Sequence, residues 1–137
     1  MKTKLRKLPI LVAVLGLFLA GQVAFAGESP AQPERIAAIF YADWCGSCKV
    51  LDPKVEEARA ELAEDTKTLF VTFDLTDEAT KAQSAMLAEA LGLDAVYEAH
   101  APKTGYMLVL DAAHKSVLHK VTKTDEVATI RTQLGGG

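Results

Sequence analysis

The residues most able to do chemistry in this sequence form one short segment, Trp44-Cys45-Gly46-Ser47-Cys48-Lys49. Its two cysteines are three positions apart, so on a helix both sulfurs would share one face. A cysteine at the start of a helix faces unpaired backbone amides and the positive end of the helix dipole, which favour the thiolate. The segment therefore predicts a redox dithiol in which Cys45 is the nucleophile and Cys48 resolves a mixed disulfide. Gly46 leaves the approach to Cys45 open.

Two other interpretations of the cysteine pair stay open at this point. A purely structural disulfide between Cys45 and Cys48 would close a four-residue loop, for which chain entropy predicts only about 2 kcal/mol. Structural zinc takes about four ligands, and His100, His114 and His119 show no ligand spacing relative to the pair. The place of the pair between a predicted strand and a predicted helix favours redox chemistry over both, and we expect no metal.

A strand and a helix must position this segment. Residues 36–41 are a short continuous apolar run, typical of a strand buried on both faces. After Cys48, apolar residues recur at helical spacing with Pro53 among them, which predicts an amphipathic helix. The expected apolar face of that helix is Val50, Leu51, Val55, Ala58 and Leu62.

The remaining chain predicts three more strands and two more helices. Residues 69–73 form a second buried strand, and Thr76 is the expected cap of the next helix. The expected apolar face of this second helix is Ala79, Ala82, Met86, Ala90 and Leu91.

The C-terminal part is expected to complete the sheet. Residues 106–110 and 116–121 predict a β-hairpin, and Thr124 is the expected cap of a final helix. The order of the elements predicts an α/β domain, with a mixed central sheet of about four strands flanked by helices. Its first two strands should be joined by a right-handed crossover.

The N-terminus has the three parts of a secretory signal peptide. Four basic residues precede the apolar run at positions 10–20, and small residues follow at Ala24 and Ala26. We expect cleavage before Gly27 and a periplasmic location; an uncleaved anchor is the alternative, since spanning takes about 20 apolar residues. The expected organisation is a signal peptide at 1–26, a flexible lead-in at 27–34 and one domain at 35–137.

Charge narrows the possible partners. The chain has 15 basic and 18 acidic residues, and four bases but no acid lie in the first 26 residues, which leaves residues 27–137 with a formal charge of −7. An acidic domain without a basic cluster argues against nucleic acid and anionic lipid as partners. We expect a monomer without stable membrane insertion once the leader is removed.

The stretch Phe40-Tyr-Ala-Asp-Trp-Cys-Gly-Ser-Cys-Lys-Val-Leu-Asp-Pro53 resembles the active-site segment of the thioredoxin superfamily. The shared features are the Trp before the first Cys, the Lys after the second and the Pro five residues beyond it. The sequence of residues 41–45, together with residues 74–78, is also similar to the periplasmic C-terminal domain of the transmembrane thiol:disulfide interchange reductase. The resemblance implies a thioredoxin-like fold.

Three positions depart from the family pattern. Ile39 occupies the place of the family's buried acid, so Cys48 would attack slowly unless water or another residue takes the proton. Ser47 replaces the proline between the cysteines. Thr104-Gly105 falls where the family has a cis-proline, and Pro102 is three residues too early unless the loop bulges. The segment before it is longer than in the family, which predicts an extra loop or helix around residues 94–100 near the dithiol. Tyr97 and His100 could line the site from there, but a solvated loop is favoured for them.

The resemblance implies an exported thiol:disulfide oxidoreductase of the reductase type. Its substrates would be protein disulfides, its electron donor a membrane electron-relay reductase, and it would need no cofactor beyond its own dithiol. Catalysis is expected at Cys45 and Cys48. The expected supporting residues are Trp44, Gly46, Ser47, Thr104 and Gly105. The alternative, motivated by Ile39 and Gly105, is a redox-inactive or metal-binding interaction module on the same scaffold.

Overall fold

Four strands and four helices make up the part of the chain that the computed structural model describes, residues 32–64 and 66–135. In chain order they are β1 (Arg35–Tyr41), α1 (Gly46–Ala60), β2 (Thr68–Asp74), α2 (Glu78–Ala90), α3 (Asp94–His100), β3 (Tyr106–Asp111), β4 (Val117–Thr122) and α4 (Val127–Gln133). The expected signal peptide and the start of the lead-in lie outside the described residues.

The sheet is mixed, with strand order β2-β1-β3-β4. β1 pairs parallel with β2, and Phe40 lies opposite Phe73. β3 runs antiparallel to both β1 and β4, with an irregularity between Val109 and Leu110 on the β4 side. The predicted crossover between the first two strands and the predicted hairpin are therefore both present.

The central strands β1 and β3 are buried on both faces, as their continuous apolar runs predict. One face packs against α1 and α4 through Val55 and Ile130. The opposite face packs against α2 and α3 through Ala88 and Tyr97. The domain is thus a sheet between two helical layers, and the strand-to-helix junction that carries the cysteines lies at the end of a central strand.

The predicted apolar face of α2 is wrong. Ser84 and Ala88 are buried, whereas Met86 is 71% exposed, and Ala79, Ala82 and Ala90 are exposed as well. Alanines lie all around this helix, so the apolar pattern does not choose a side. The Ser84 hydroxyl donates to the Asp74 carbonyl at 2.9 Å, and this bond turns the small residues toward the sheet.

Both predicted threonine caps are also wrong. Asp77, not Thr76, caps α2: its carboxylate accepts from the Thr80 amide at 2.9 Å, and the Thr80 hydroxyl accepts from the Asp77 amide at 3.0 Å. At the other end of the domain, α4 begins only at Val127, after Glu126. Thr124 lies before that helix and its hydroxyl pairs with the hydroxyl of Thr122.

The longer segment before β3 is the helix α3, so of the two alternatives, extra loop or extra helix, the helix is confirmed and the solvated loop is wrong. The Tyr97 ring packs edge-on against Phe73 with centroids 5.2 Å apart, and its hydroxyl donates to the Lys81 carbonyl. The short helix covers the end of the aromatic core.

On α1, Val50 is 49% exposed and so does not belong to the predicted apolar face. None of the helices in the described residues is long and apolar enough to cross a membrane.

Candidate active site

The two cysteines meet where β1 gives way to α1. Cys45 is the N-cap residue of α1, with extended backbone angles, and the helix begins at Gly46. The Cys45 amide donates to the Ala42 carbonyl at 3.0 Å, which turns the chain between strand and helix. The Cα atoms of Cys45 and Cys48 are 5.3 Å apart and their sulfurs are joined in a disulfide. One helical turn thus holds both sulfurs on one face.

The two cysteines differ in burial. Cys45 retains 6% exposure and Cys48 only 1%. Both pack with Ala42 and the partly buried Tyr41 in a small cluster of their own. An approaching partner therefore reaches Cys45 first, while Cys48 is shielded behind it.

Backbone hydrogen bonding also treats the sulfurs differently. The Cys48 amide points at the Cys45 sulfur at 3.1 Å, as one of the unpaired donors of the helix N-terminus. The Cys48 sulfur instead lies 3.8 Å from the Phe40 carbonyl oxygen, which can accept a hydrogen bond from a thiol but cannot donate one to a thiolate. In the reduced form this arrangement favours a thiolate at Cys45 and a thiol at Cys48.

Gly105 lies directly against the dithiol segment. A Cβ atom at this position would lie 2.7 Å from the Ser47 Cβ and 3.3 Å from the Cys45 sulfur. Its φ of +89° is also one that favours glycine. The Gly105 amide donates to the Phe40 carbonyl at 2.9 Å and so ties the start of β3 to β1. The structure has a cis peptide bond between Ala101 and Pro102. Pro102 lies three residues before Gly105, as counted in the sequence.

The other expected supporting residues surround the pair less closely. A Cβ atom on Gly46 would have no heavy atom within 4 Å, so the helix start is open there. Thr104 is half-buried beside Gly105. Trp44 is 63% exposed, immediately before Cys45. A solvent-facing aromatic side chain thus belongs to the residue directly before Cys45, the less buried of the two cysteines.

Sequence reasoning missed the contacts of Trp44 with the loop after β2. The indole Nε1 donates to the Thr76 carbonyl at 3.1 Å, and the Asp43 amide donates to the Thr76 hydroxyl at 3.0 Å. The available signal was positional: β1 and β2 are parallel neighbours, so the residues following each strand meet at one edge of the sheet. Thr76 was instead interpreted as a cap.

Ile39 lines a cavity of about 310 Å³, and two carboxylate side chains of α1 line the same cavity. Asp52, one turn beyond Cys48, and Glu56 line it together with Tyr41. Partial burial, and then the nearby Glu56 carboxylate, raises the pKa of Asp52 above its ordinary value. β1 has no acidic residue at position 39, but α1 places the carboxyl of Asp52 in the same cavity.

The described residues do not supply a set of metal ligands. Among residues 32–64 and 66–135, no three His, Cys, Asp or Glu side chains are grouped closely enough to hold a metal ion. His114 is exposed and its ring nitrogen pairs with Asp111 at 2.8 Å, in the turn between β3 and β4.

Comparison with known proteins agrees with this geometry. Residues 25–89 match the family model described as thioredoxin. A 50-residue stretch is 36% identical to Thioredoxin-T of Drosophila melanogaster and covers 36% of this chain and 32% of that protein. Over 52 residues the chain is 33% identical to a thioredoxin of Rickettsia typhi, which covers 38% of this chain and 50% of that protein.

A longer match reaches a larger protein. Over 83 residues the chain is 36% identical to protein disulfide-isomerase of Gallus gallus, covering 53% of this chain and 16% of that protein. The chain therefore spans half or less of the length of these three curated relatives.

Among solved structures, Trxlp from Edwardsiella tarda EIB202 superposes with a TM-score of 0.49 at 12% identity, covering 76% of this chain and 84% of that one. The family match over residues 25–89 adds to the strand order and to the cysteine pair at the strand-to-helix junction. Residues 25–89 are thus similar to the thioredoxin family, and the described residues have a thioredoxin-like fold, a four-stranded mixed sheet flanked by helices.

Proposed function

We propose that this protein is an exported thiol:disulfide oxidoreductase that acts as a reductase, with Cys45 as the nucleophile and Cys48 as the resolving thiol. The observation that carries the proposal is the asymmetry of the pair. The Cys45 sulfur accepts a hydrogen bond from the Cys48 amide at 3.1 Å, and Cys45 is 6% exposed whereas Cys48 is 1% exposed. A stabilised, reachable thiolate is the attacking species that disulfide exchange requires.

The reaction needs only the two thiols of this chain and a partner disulfide. The Cys45 thiolate attacks one partner sulfur, which forms a mixed disulfide and releases the other partner sulfur as a thiolate. Cys48 then loses its proton and attacks the Cys45 sulfur, which breaks the mixed disulfide and releases the second partner thiolate. The partner gains two electrons, and Cys45 and Cys48 end as a disulfide. No cofactor takes part.

The direction of electron flow and the location are further parts of this proposal. The similarity of Tyr41-Ala-Asp-Trp-Cys45 and of residues 74–78 to a periplasmic reductase domain supports a reductase role. The signal-peptide pattern of residues 1–26 supports export to the periplasm. A reductase in an oxidising compartment must be recharged, so we propose a membrane electron-relay protein as donor. Oxidised exported proteins, such as a cytochrome c maturation factor or an isomerase, would accept the electrons.

The test is reduction of insulin by the purified chain, compared with Cys45→Ser, Cys48→Ser and, as a control away from the pair, Thr132→Val on α4. We expect no turnover with Cys45→Ser, and with Cys48→Ser a mixed disulfide that accumulates on the protein. Thr132→Val should stay active, because it removes only a hydroxyl that bonds to the Ala128 carbonyl within α4. Equal activity of the chain and of Cys45→Ser would refute the enzymatic proposal.

The reduction potential of the pair tests the direction separately. A value of about −270 mV supports a reductase, and one of about −120 mV contradicts that role in favour of an oxidant. Fractionation of cells that express the full chain, with N-terminal sequencing of the product, tests export. A periplasmic product beginning at Gly27 is expected, and a full-length cytoplasmic product would contradict export.

A further inference from the structure

Building on the proposed function, we infer that Thr76 is a positioning residue for Trp44 and determines how well polypeptide disulfides, as opposed to small disulfides, are recognised beside Cys45. Thr76 lies in the loop after β2, 32 residues from Trp44 in sequence. It is joined to the dithiol loop through both its hydroxyl and its carbonyl oxygen.

The hydroxyl of Thr76 both donates and accepts a hydrogen bond. It donates to the Asp74 carboxylate at 2.6 Å and accepts the Asp43 amide at 3.0 Å. The Asp74 carboxylate also accepts the Thr76 amide at 2.9 Å, so the loop is closed on itself before it reaches the dithiol loop. A hydroxyl with one donor and one acceptor partner has a fixed orientation, which makes this contact a rigid link between the ends of β1 and β2.

The carbonyl of Thr76 holds the indole. Trp44 Nε1 donates to it at 3.1 Å although the residue is 63% exposed. An exposed indole with a fixed ring plane offers a large apolar surface that loses little entropy when a polypeptide covers it. A small disulfide reaches Cys45 without covering that surface. Loss of the link should therefore affect binding of a polypeptide more than attack on a disulfide.

Thr76→Val tests this inference because it keeps the shape of the side chain and removes only the hydroxyl. Thr76→Ser restores the hydroxyl and serves as the rescue. Thr132→Val is the matched control, since it removes an exposed threonine hydroxyl that bonds only within α4, to the Ala128 carbonyl. Trp44 is the single tryptophan of the chain, so tryptophan anisotropy reports its mobility alone.

Each variant of the full chain is measured in three ways, after its thermal unfolding shows that it is folded. These are the steady-state anisotropy of Trp44, kcat and KM for insulin, and kcat/KM for hydroxyethyl disulfide. We expect Thr76→Val to lower the anisotropy and to raise KM for insulin about threefold, as for one lost hydrogen bond. Its kcat and its reaction with hydroxyethyl disulfide should stay unchanged. Thr76→Ser and Thr132→Val should match the unsubstituted chain throughout.

Unchanged anisotropy and unchanged KM in Thr76→Val would overturn the inference. An equal loss with insulin and with hydroxyethyl disulfide would overturn it too, because the dithiol itself would then be disturbed. If the unsubstituted chain reduces neither substrate, the proposed function fails. Anisotropy then decides alone whether Thr76 positions Trp44.

Discussion

At the scale of single residues, the backbone of Gly105 lies closer to Ser47 than a residue with a Cβ atom could approach. A Cβ atom added to Gly105 would lie 2.7 Å from the Ser47 Cβ atom and 3.3 Å from the Cys45 sulfur, and the φ angle of Gly105 is +89°. The sequence predicted that Thr104-Gly105 falls opposite the dithiol. It did not predict this closeness, because a contact between residues nearly sixty positions apart depends on how β1 and β3 pair.

Gly105→Ala should therefore destabilise the domain and impair the dithiol. The strained φ and the displaced Ser47 should cost about 1–3 kcal/mol in the free energy of unfolding, and kcat/KM for insulin should fall about tenfold as Cys45 moves. Urea unfolding and the insulin assay measure the two effects. Gly46→Ala is the matched control, since a Cβ there meets nothing within 4 Å. If both variants behaved alike, the close approach of Gly105 would have no consequence.

At the scale of elements, α1 does more than present the cysteines. Its N-terminus points the Cys48 amide at the Cys45 sulfur, and one turn later it places Asp52 in the cavity beside Ile39. The helix was predictable from its apolar spacing, since Leu51, Val55 and Ala58 are all buried. The environment of Asp52 was not, because it depends on the strand against which α1 packs.

Asp52→Asn should make the domain more stable at neutral pH. Burial and Glu56 raise the pKa of Asp52 in the folded state, so the folded state holds this proton more tightly than the unfolded chain does. The charged form therefore reduces stability as pH rises above the ordinary value of 3.8. Asparagine avoids that loss, by less than about 1 kcal/mol because water screens the partly exposed group.

Urea midpoints between acidic and neutral pH measure this difference. The advantage of Asp52→Asn should be present at neutral pH and vanish once the wild-type carboxyl is protonated. Glu57→Gln, on an exposed position of the same helix, controls for the change in net charge. An advantage that is the same at every pH, or that appears equally in Glu57→Gln, would contradict the proposed effect of burial.

At the scale of the whole molecule, a sheet whose central strands are buried on both faces keeps the active-site edge in register. β1 and β3 are the central strands, and helices cover each face. On one of those faces α4 completes the core through Ile130 and Leu134, both fully buried. The helix is short, but it is the last element to cover the apolar side chains of α1 and β3.

Ile130→Ala should thus lower the stability of the whole domain by about 2–4 kcal/mol, because it leaves a cavity in a core that α1, β3 and α4 share. Thermal unfolding should remain a single transition at a lower midpoint, since the core is continuous. Val117→Ala, at a position that is 47% exposed on β4, should change stability by less than about 0.5 kcal/mol. A separate early transition in Ile130→Ala would mean that α4 unfolds independently.

Local patterns predicted the parts of the structure that depend on short stretches of chain. The four strands, α1 and the position of the dithiol follow from continuous apolar runs, helical spacing and the position of Cys45 just after a strand. The buried side of α2 did not follow, because its alanines surround the helix and the bond from Ser84 to Asp74 selects the face. The sequence did not choose between a loop and a helix at α3, since aromatic packing of Tyr97 against Phe73, not periodicity, holds the helix in place.

The sequence by itself determined that two cysteines lie one helical turn apart at a strand-to-helix junction, because spacing and helix geometry are local properties of the chain. Only the tertiary structure decided what surrounds them. Gly105 against Ser47, Thr76 under the Trp44 indole and Asp52 beside Ile39 are contacts made when separate elements pack. No local pattern encodes them, because each depends on the pairing of strands and the docking of a helix far along the sequence.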